Sequence, residues 1–253
     1  MNDFKEAIKK SYGNAINKHT QARLVNQSSC CAPPEEIAKD DQSSCCPSSA
    51  SESKLESIVP SFGCVVNLSH KANIQPGDIV VDLGSGAGHD LFQAADMVGP
   101  EGRVIGIDFT PDMIVAGLKT AAEKKITNVD FRLSDIENIS ILPDNSADVI
   151  ISNCVINLTM DKEAVFREAF RILKPGGRLV DADIIAVNNL PPEITQDPEA
   201  WCACLGGALT EEGYVEKIKK VGFNEVNVTI FDNFDYLTNR FQSGIIEAQK
   251  PLS

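Results

Sequence analysis

Between about residue 55 and residue 185 the chain repeats one pattern. A short apolar run gives way to a glycine- or proline-marked turn, and then to a segment whose apolar residues recur at helical spacing. Short runs rich in Val, Ile and Leu, bounded by turn residues, predict buried strands, whereas recurrence near 3.6 residues predicts helices. Strands are expected at 78–84, 103–108, 128–135, 147–154 and 177–184. Helices are expected at 90–97 and from Pro111 to about Lys124, the latter with Thr110 as N-cap and Pro111 in the first turn. A third should run from a cap at Asp161 to the stop signal Lys174-Pro175-Gly176-Gly177. Strands alternating with helices predict an α/β fold, a mostly parallel sheet covered on both faces.

The ends of the chain depart from this rhythm. After 186 one helical stretch is expected at 197–221, then two strands at 225–231 and 244–251 that close one edge of the sheet. At the other end Phe4, Ala7, Ile8 and Tyr12 fall at helical spacing within 1–24 and predict a short amphipathic helix. Residues 26–53 are rich in Ser, Pro and acidic residues and nearly lack large apolar ones, which predicts a flexible arm. Ser-Ser-Cys-Cys occurs twice in it, at 28–31 and 43–46, too short to be a structural repeat. The expected organisation is an N-terminal helix and Cys-rich arm (1–54), a core (55–185), and a small helical cap with closing strands (186–253).

Composition narrows the function. Hydrophobic residues are 43% of the 253, enough for a sizeable core. The formal net charge is −13 and there is no dense Lys/Arg run, so a nucleic-acid partner is not expected. No apolar stretch approaches the roughly 20 residues that span a bilayer, so no membrane partner is expected. The first residues carry charge where a signal peptide would be apolar, which argues for a cytoplasmic protein. Eight cysteines are then expected as reduced thiols, serving as ligands or catalysts.

The densest chemistry lies at the first strand-to-helix turn, Asp82-Leu-Gly84-Ser-Gly86-Ala-Gly88. Ligands in such sheets bind beyond the carboxyl ends of the strands. A dinucleotide site would read Gly-x-Gly-x-x-Gly. Here the spacing is Gly-x-Gly-x-Gly, His89 stands at the third glycine of that fingerprint, and an acid precedes the turn. This is the pattern of S-adenosylmethionine methyltransferases, which have no pyrophosphate to seat. Asp108, ending the next strand, is placed to accept both ribose hydroxyls, and Asp135 to accept from the adenine amino group, a solvated turn residue being its plainer alternative. Phe109, Ile136 and Asn153 complete the expected cofactor set. Met113 is expected to pack beneath the cofactor and Trp201 within the cap, with His70 and His89 as solvated surface residues.

The chain resembles the microbial arsenite S-adenosylmethionine methyltransferases from Tyr12 to Pro251. Asp148-Val-Ile-Ile-Ser-Asn-Cys154-Val-Ile-Asn-Leu158 is similar to that family's most distinctive motif. Phe62-Gly63-Cys64 and Cys204-Leu-Gly-Gly-Ala-Leu209 resemble its two other cysteine motifs. Arg167 to Gly177 and Phe241-Gln-Ser-Gly also fit. Two places depart. The family's Gly-Cys-Gly-Asn-Pro is here Gly63-Cys64-Val65-Val66-Asn67, and its Asp-Met is here Asp108-Phe109. Cys202 is an additional thiol. The resemblance implies a class I methyltransferase fold with a seven-stranded sheet and methyl transfer to trivalent arsenic held by Cys64, Cys154 and Cys204. It further implies a thiol reductant of glutathione or thioredoxin type.

Thiols suit that substrate. Trivalent arsenic is soft and prefers thiolate ligands. Three sulfurs form a pyramid whose apex is the nucleophilic lone pair, so the enzyme needs positioning more than a general base. Each cysteine has a plainer alternative as a small buried hydrophobe, the preferred reading for Cys202. Cys30, Cys31, Cys45 and Cys46 are read as a mobile arsenic capture or relay device. A neutral linker or a zinc site remain alternatives, although adjacent cysteines chelate one tetrahedral ion awkwardly. Two other functions stay open: methyl transfer to a different small molecule, and sequestration of arsenic or a soft metal without turnover.

Overall fold

The apolar runs become the parallel half of a seven-stranded sheet. The computed structural model describes residues 2–28, 63, 65 and 67–253. Most of the Cys-rich arm, with Cys30, Cys31, Cys45 and Cys46, lies outside the described residues, as does Cys64. In chain order, α1 (Asn2–Ser28) and the single turn α2 (Leu68–Lys71) precede β1 (Ile79–Leu83), α3 (His89–Val98), β2 (Arg103–Asp108) and α4 (Pro111–Lys124). Next come β3 (Val129–Leu133), β4 (Ala147–Asn153), a 3-10 turn at Ile156–Leu158, α5 (Lys162–Ile172) and β5 (Leu173–Ala186). The short helices α6 (Pro192–Thr195) and α7 (Pro198–Cys202), then α8 (Glu211–Lys220), lead into β6 (Asn224–Tyr236) and β7 (Asn239–Gln249).

The strand order is β3-β2-β1-β4-β5-β7-β6. The first five strands are parallel; β7 runs antiparallel to β5, and β6 antiparallel to β7. Strands covered on both faces read as continuous apolar runs, and Val80, Val81, Leu83, Ile150 and Ile151 are all fully buried. One face packs against α3 and α4 through Leu91, Phe92 and Met113. The other packs against α5 and α8 through Val165, Phe166, Tyr214 and Ile218. A third cluster, including Ile8, Leu158, Ala200, Leu205 and Phe241, gathers α1, the 3-10 turn, α7 and β7 around Cys154 and Cys204. Helix α1 packs against α4 and α7.

Three expectations need correction. Residues 197–221 are not one helix. The chain leaves α7 at Cys202, turns through Cys204 at φ 61° and re-enters a helix at Glu211, where the Thr210 hydroxyl caps Gly213 N–H. The turn is shaped by packing, since a Cβ at Gly206 or Gly207 would meet the Trp201 ring. The helix capped by Asp161 ends at Ile172, and β5 starts at once, because Leu173 already pairs with Ala147. Helix α1 extends to Ser28, into residues expected to belong to the arm. Among the described residues no helix is long and apolar enough to cross a membrane.

The Asp161 cap offers a test of local stability. Its carboxylate accepts from Ala164 N–H at 3.0 Å. Asp161→Ala should lower unfolding stability by about 1 kcal/mol and leave ligand affinity unchanged. An unmoved urea midpoint would show that the cap contributes nothing.

Candidate active site

The turn after β1 is held to the next strand by its own backbone. Gly84 and Ser85 N–H both donate to Ile107 C=O, at 2.7 and 3.0 Å. Gly84 has φ 71°, and a Cβ there would run into the Val155 side chain. Beyond the turn lies a cavity of about 990 Å³, counting the space open to solvent at its mouth. It sits at the carboxyl ends of β1 and β4, where a doubly wound sheet leaves its crevice. The expected residues Asp82, Gly84, Gly86, Asp108, Phe109, Asp135, Ile136, Asn153 and Cys154 all line it, as does Met113.

Its wall is built from buried carboxyl groups. Asp82, Asp90 and Asp108 are 3%, 7% and 7% exposed. Burial raises Asp82 well above the ordinary carboxylate range, and the charges of Asp90 and Asp108 raise it further. Burial also raises Asp108, opposed by the backbone N–H groups of Thr110 and Gly86, which donate to its two oxygens at 2.8 and 2.9 Å. The Thr110 side chain and the Phe109 N–H also hold Asp108 down. Asp90 accepts from Asn153 Nδ2 at 2.9 Å, while its Oδ1 and Ser85 Oγ are buried and have no hydrogen-bond partner among the described residues. Clustered carboxyls and orphaned polar atoms fit a cationic, hydroxyl-bearing ligand and oppose an anionic pyrophosphate. S-adenosylmethionine, with its sulfonium, ammonium and ribose hydroxyls, meets that requirement.

Several lining residues escaped the sequence reading. Asp90 follows the glycine turn by two residues, and its carboxyl is aimed by Asn153, 63 positions away. Helix α1 contributes Lys5, Ile8 and Tyr12. Lys5 Nζ bridges Asp135 Oδ2 and Glu137 Oε2, each at 2.7 Å. Burial alone would lower Lys5, but its two carboxylate partners outweigh that and raise it. Asp135 is therefore at the cavity as expected, already engaged by a cation. His89 is not a solvated surface residue: it opens α3, lines the cavity and lies 3.1 Å from Gln93 Nε2. His70 is exposed, as expected. Trp201 packs in the cap, with its indole N–H donating to Thr195 C=O.

Cys154 and Cys204 meet at the same end of the sheet. Cys154 follows β4 at φ 58°, and its N–H donates to Ala182 C=O at 2.7 Å. The Cys204 thiol donates to Cys154 C=O at 3.0 Å. The Tyr12 hydroxyl donates to Cys202 C=O at 3.3 Å and lies 4.0 Å from Cys204 Sγ. Cys204 is buried, and Cys202 is half-buried and packs against the same apolar cluster. Cys202 and Cys204 are thiols, but Cys154 is disulfide-bonded, to neither of them. This corrects the expectation of eight reduced cysteines. Gly63 and Val65 flank position 64 and both lie against the Asn153 side chain.

The carboxyl cluster sets a pH dependence. A cationic ligand favours ionised Asp82 and Asp108, whose protons are held above the ordinary carboxylate range. Affinity for S-adenosylmethionine should therefore rise as pH climbs through that raised range and level off above it, with Asp82→Asn flattening the profile. Asp108→Ala should weaken binding about tenfold or more, since a hydrogen bond to a charged group is worth roughly 1.5–3 kcal/mol. Calorimetric titration across pH checks both; a flat wild-type profile with unchanged Asp108→Ala affinity would refute the cofactor assignment.

Known proteins share these features. A methyltransferase-domain family model matches residues 74–237. The chain is 38% identical over 190 residues to an arsenite methyltransferase of Halobacterium salinarum, covering 71% of this chain and 48% of that protein. It is 43% identical over 152 residues to an arsenite methyltransferase of Aquipseudomonas alcaligenes, covering 58% and 44%. The chain thus spans less than half the length of these curated relatives. Among solved structures, an arsenic(III) S-adenosylmethionine methyltransferase from Chlamydomonas reinhardtii is similar at a TM-score of 0.67 and 30% identity, covering 79% of this chain and 71% of that one. The family match spans well over half of the sequence, and the chain belongs to the methyltransferase-domain family, built on the class I S-adenosylmethionine methyltransferase fold.

Proposed function

We propose that this chain transfers methyl groups from S-adenosylmethionine to trivalent arsenic held by its own thiolates. The observation that carries the reading is the meeting of Cys204 with Cys154 at the cavity wall, the thiol of one on the carbonyl of the other. The similarity to arsenite methyltransferases supports it. The positions of Gly63 and Val65 against Asn153 support Cys64 as the third ligand.

In this reading Asp82 and Asp108 hold the ammonium and ribose ends of the cofactor. Asp135 and Ile136 flank the adenine, which requires Asp135 to share its carboxylate with Lys5. S-adenosylmethionine supplies an electrophilic methyl group on a cationic sulfur. Each thiol binds arsenic by exchange, As–OH plus H–S giving As–S plus water. Cys154 and Cys204 sit within an apolar cluster that includes Leu158, Ile184 and Phe241. That environment excludes water and leaves positioning as the chain's main contribution. Cys154 must first be released from its disulfide, which calls for a thiol reductant of glutathione or thioredoxin type and suits a reducing compartment such as cytoplasm. Cys30, Cys31, Cys45 and Cys46 are assigned to capture or relay of arsenic.

One assay separates this reading from methylation of another small molecule and from mere sequestration. Reduced protein is incubated with S-adenosylmethionine and arsenite, and methylated arsenic is measured. Bound but unmethylated arsenic would leave only sequestration, and neither binding nor methylation would leave another substrate. The thiols should then separate by step. Inorganic arsenite has three exchangeable positions, whereas monomethylarsenite has two. Cys64, where the motif departs most from the family, is assigned as the ligand that lets go. Cys64→Ser should lose methylation of arsenite and keep appreciable methylation of monomethylarsenite; Cys154→Ser and Cys204→Ser should lose both. Turnover of the two substrates by folded, cofactor-binding variants decides it, and activity surviving in Cys154→Ser would overturn the assignment.

A further inference from the structure

The loop that carries Cys204 is tied to the sheet through one side chain outside the cofactor cavity. Asn157 lies in the 3-10 turn after Cys154 and is completely buried. Its Nδ2 donates to Ile184 C=O at 2.7 Å and to Cys204 C=O at 3.0 Å. Its Oδ1 accepts from the Tyr214 hydroxyl of α8 at 2.5 Å. Its backbone N–H donates to Asp183 Oδ2 at 2.9 Å, and its carbonyl accepts from Lys162 Nζ at 3.3 Å. Every polar group of the residue is engaged. The amide orientation is fixed as well, because a flip would turn its oxygen onto two carbonyls and its nitrogen onto a hydroxyl donor.

The loop needs such a tether. Cys154 and Cys204 both lie at positive φ, 58° and 61°. Non-glycine residues populate that region sparsely, and it persists only where the surroundings over-determine it. Gly207 packs so closely on Asn157 C=O that a Cβ would collide with it, so the loop backbone rests directly on this residue. Asn157 is not part of the cavity lining.

We propose that Asn157 is a positioning residue: it fixes the carbonyl of Cys204 to strand β5 and helix α8, and so sets the spacing at which Cys204 and Cys154 take trivalent arsenic. The arsenic half of this inference rests on the function proposed above. The tether itself does not, and the two are tested separately.

Full-length protein is reduced, desalted and studied as wild type, Asn157→Ala and Tyr214→Phe. The tether is read without arsenic, as the rate at which iodoacetamide alkylates Cys204, followed by peptide mass spectrometry. With one hydrogen bond worth about a factor of ten, Asn157→Ala should raise that rate about tenfold. Tyr214→Phe, which removes the hydroxyl that serves Oδ1 and also reaches Asp183 but keeps the ring, should raise it about threefold. Arsenite affinity is read from the fluorescence of Trp201, the chain's one tryptophan. It should weaken in the same order, with affinity for S-adenosylmethionine within about twofold of wild type. Unchanged Cys204 reactivity in the folded variants would overturn the tether, and so would a parallel loss of cofactor affinity, which marks general loosening. If Asn157→Ala does not fold, Tyr214→Phe decides alone by the same readings. If wild type binds no arsenite while the variants still expose Cys204, the tether stands and the arsenic reading fails.

Discussion

The electrostatics of three buried carboxyl groups constrain the cofactor half of this molecule. Asp82, Asp90 and Asp108 crowd the ends of β1 and β2 and the start of α3. Burial disfavours the charged form of each, and for Asp82 the charges of Asp90 and Asp108 disfavour it further. The fold accepts this because a sheet whose strands are apolar on both faces supplies the stability elsewhere. A cationic ligand would offset the repulsion at Asp82. The same cluster that destabilises the cavity therefore selects what enters it, which is why an acid before the glycine turn distinguishes this site from one that seats a pyrophosphate.

Beneath the thiols the logic is reversed, with polar groups that are paired rather than exposed to a ligand. Lys162 is pulled down to about 8 by burial, partly offset by Asp183. Burial raises Asp183, against the backbone N–H groups of Asn157 and Ile184 that hold it down. Burial also raises Tyr214. Each shift is toward the neutral form, as expected where burial makes charge costly. A buried network of this kind is costly unless its members are satisfied, and once satisfied it fixes geometry. Here it fixes the 3-10 turn between Cys154 and α5, and through Asn157 the loop after α7. Rigidity is thus delivered to two left-handed cysteines that would not hold their conformation alone.

The central sheet was legible because parallel strands buried on both faces leave unbroken apolar runs, and because the Gly84 turn and the Asp161 cap are local signals. The active-site wall was legible where one turn carries it, as with Asp82 to Gly86. It was not legible where tertiary packing brings distant segments together. Lys5 meets Asp135 across 130 positions, and Tyr12 meets Cys202 across 190. The amphipathic spacing of Ile8 and Tyr12 gave a helix but not its destination. The break between α7 and α8 left a trace, the Gly206-Gly207 pair. What decides that break is the fit of those glycines on the Trp201 ring, which no local propensity encodes.

Helix α1 joins the two halves, and the nature of its hold decides how it behaves. Its most visible contact is the Lys5 bridge to Asp135 and Glu137. The Lys5 and Asp135 side chains are 29% and 45% exposed, however, and partly exposed ion pairs contribute little and weaken with salt. The apolar contacts are of another kind. Ile8 is 2% exposed in the cluster around Cys154 and Cys204, Tyr12 packs against the same cluster, and the Phe4 ring lies 5.5 Å from Trp201. Fully burying an isoleucine alone is worth about 1.5–3 kcal/mol, more than a median surface ion pair. The helix is therefore held chiefly at the thiol end and only lightly at the cofactor end. Lys5 can leave Asp135 without α1 leaving the cysteines, so the cavity rim at Asp135 can loosen while the cysteine end stays covered.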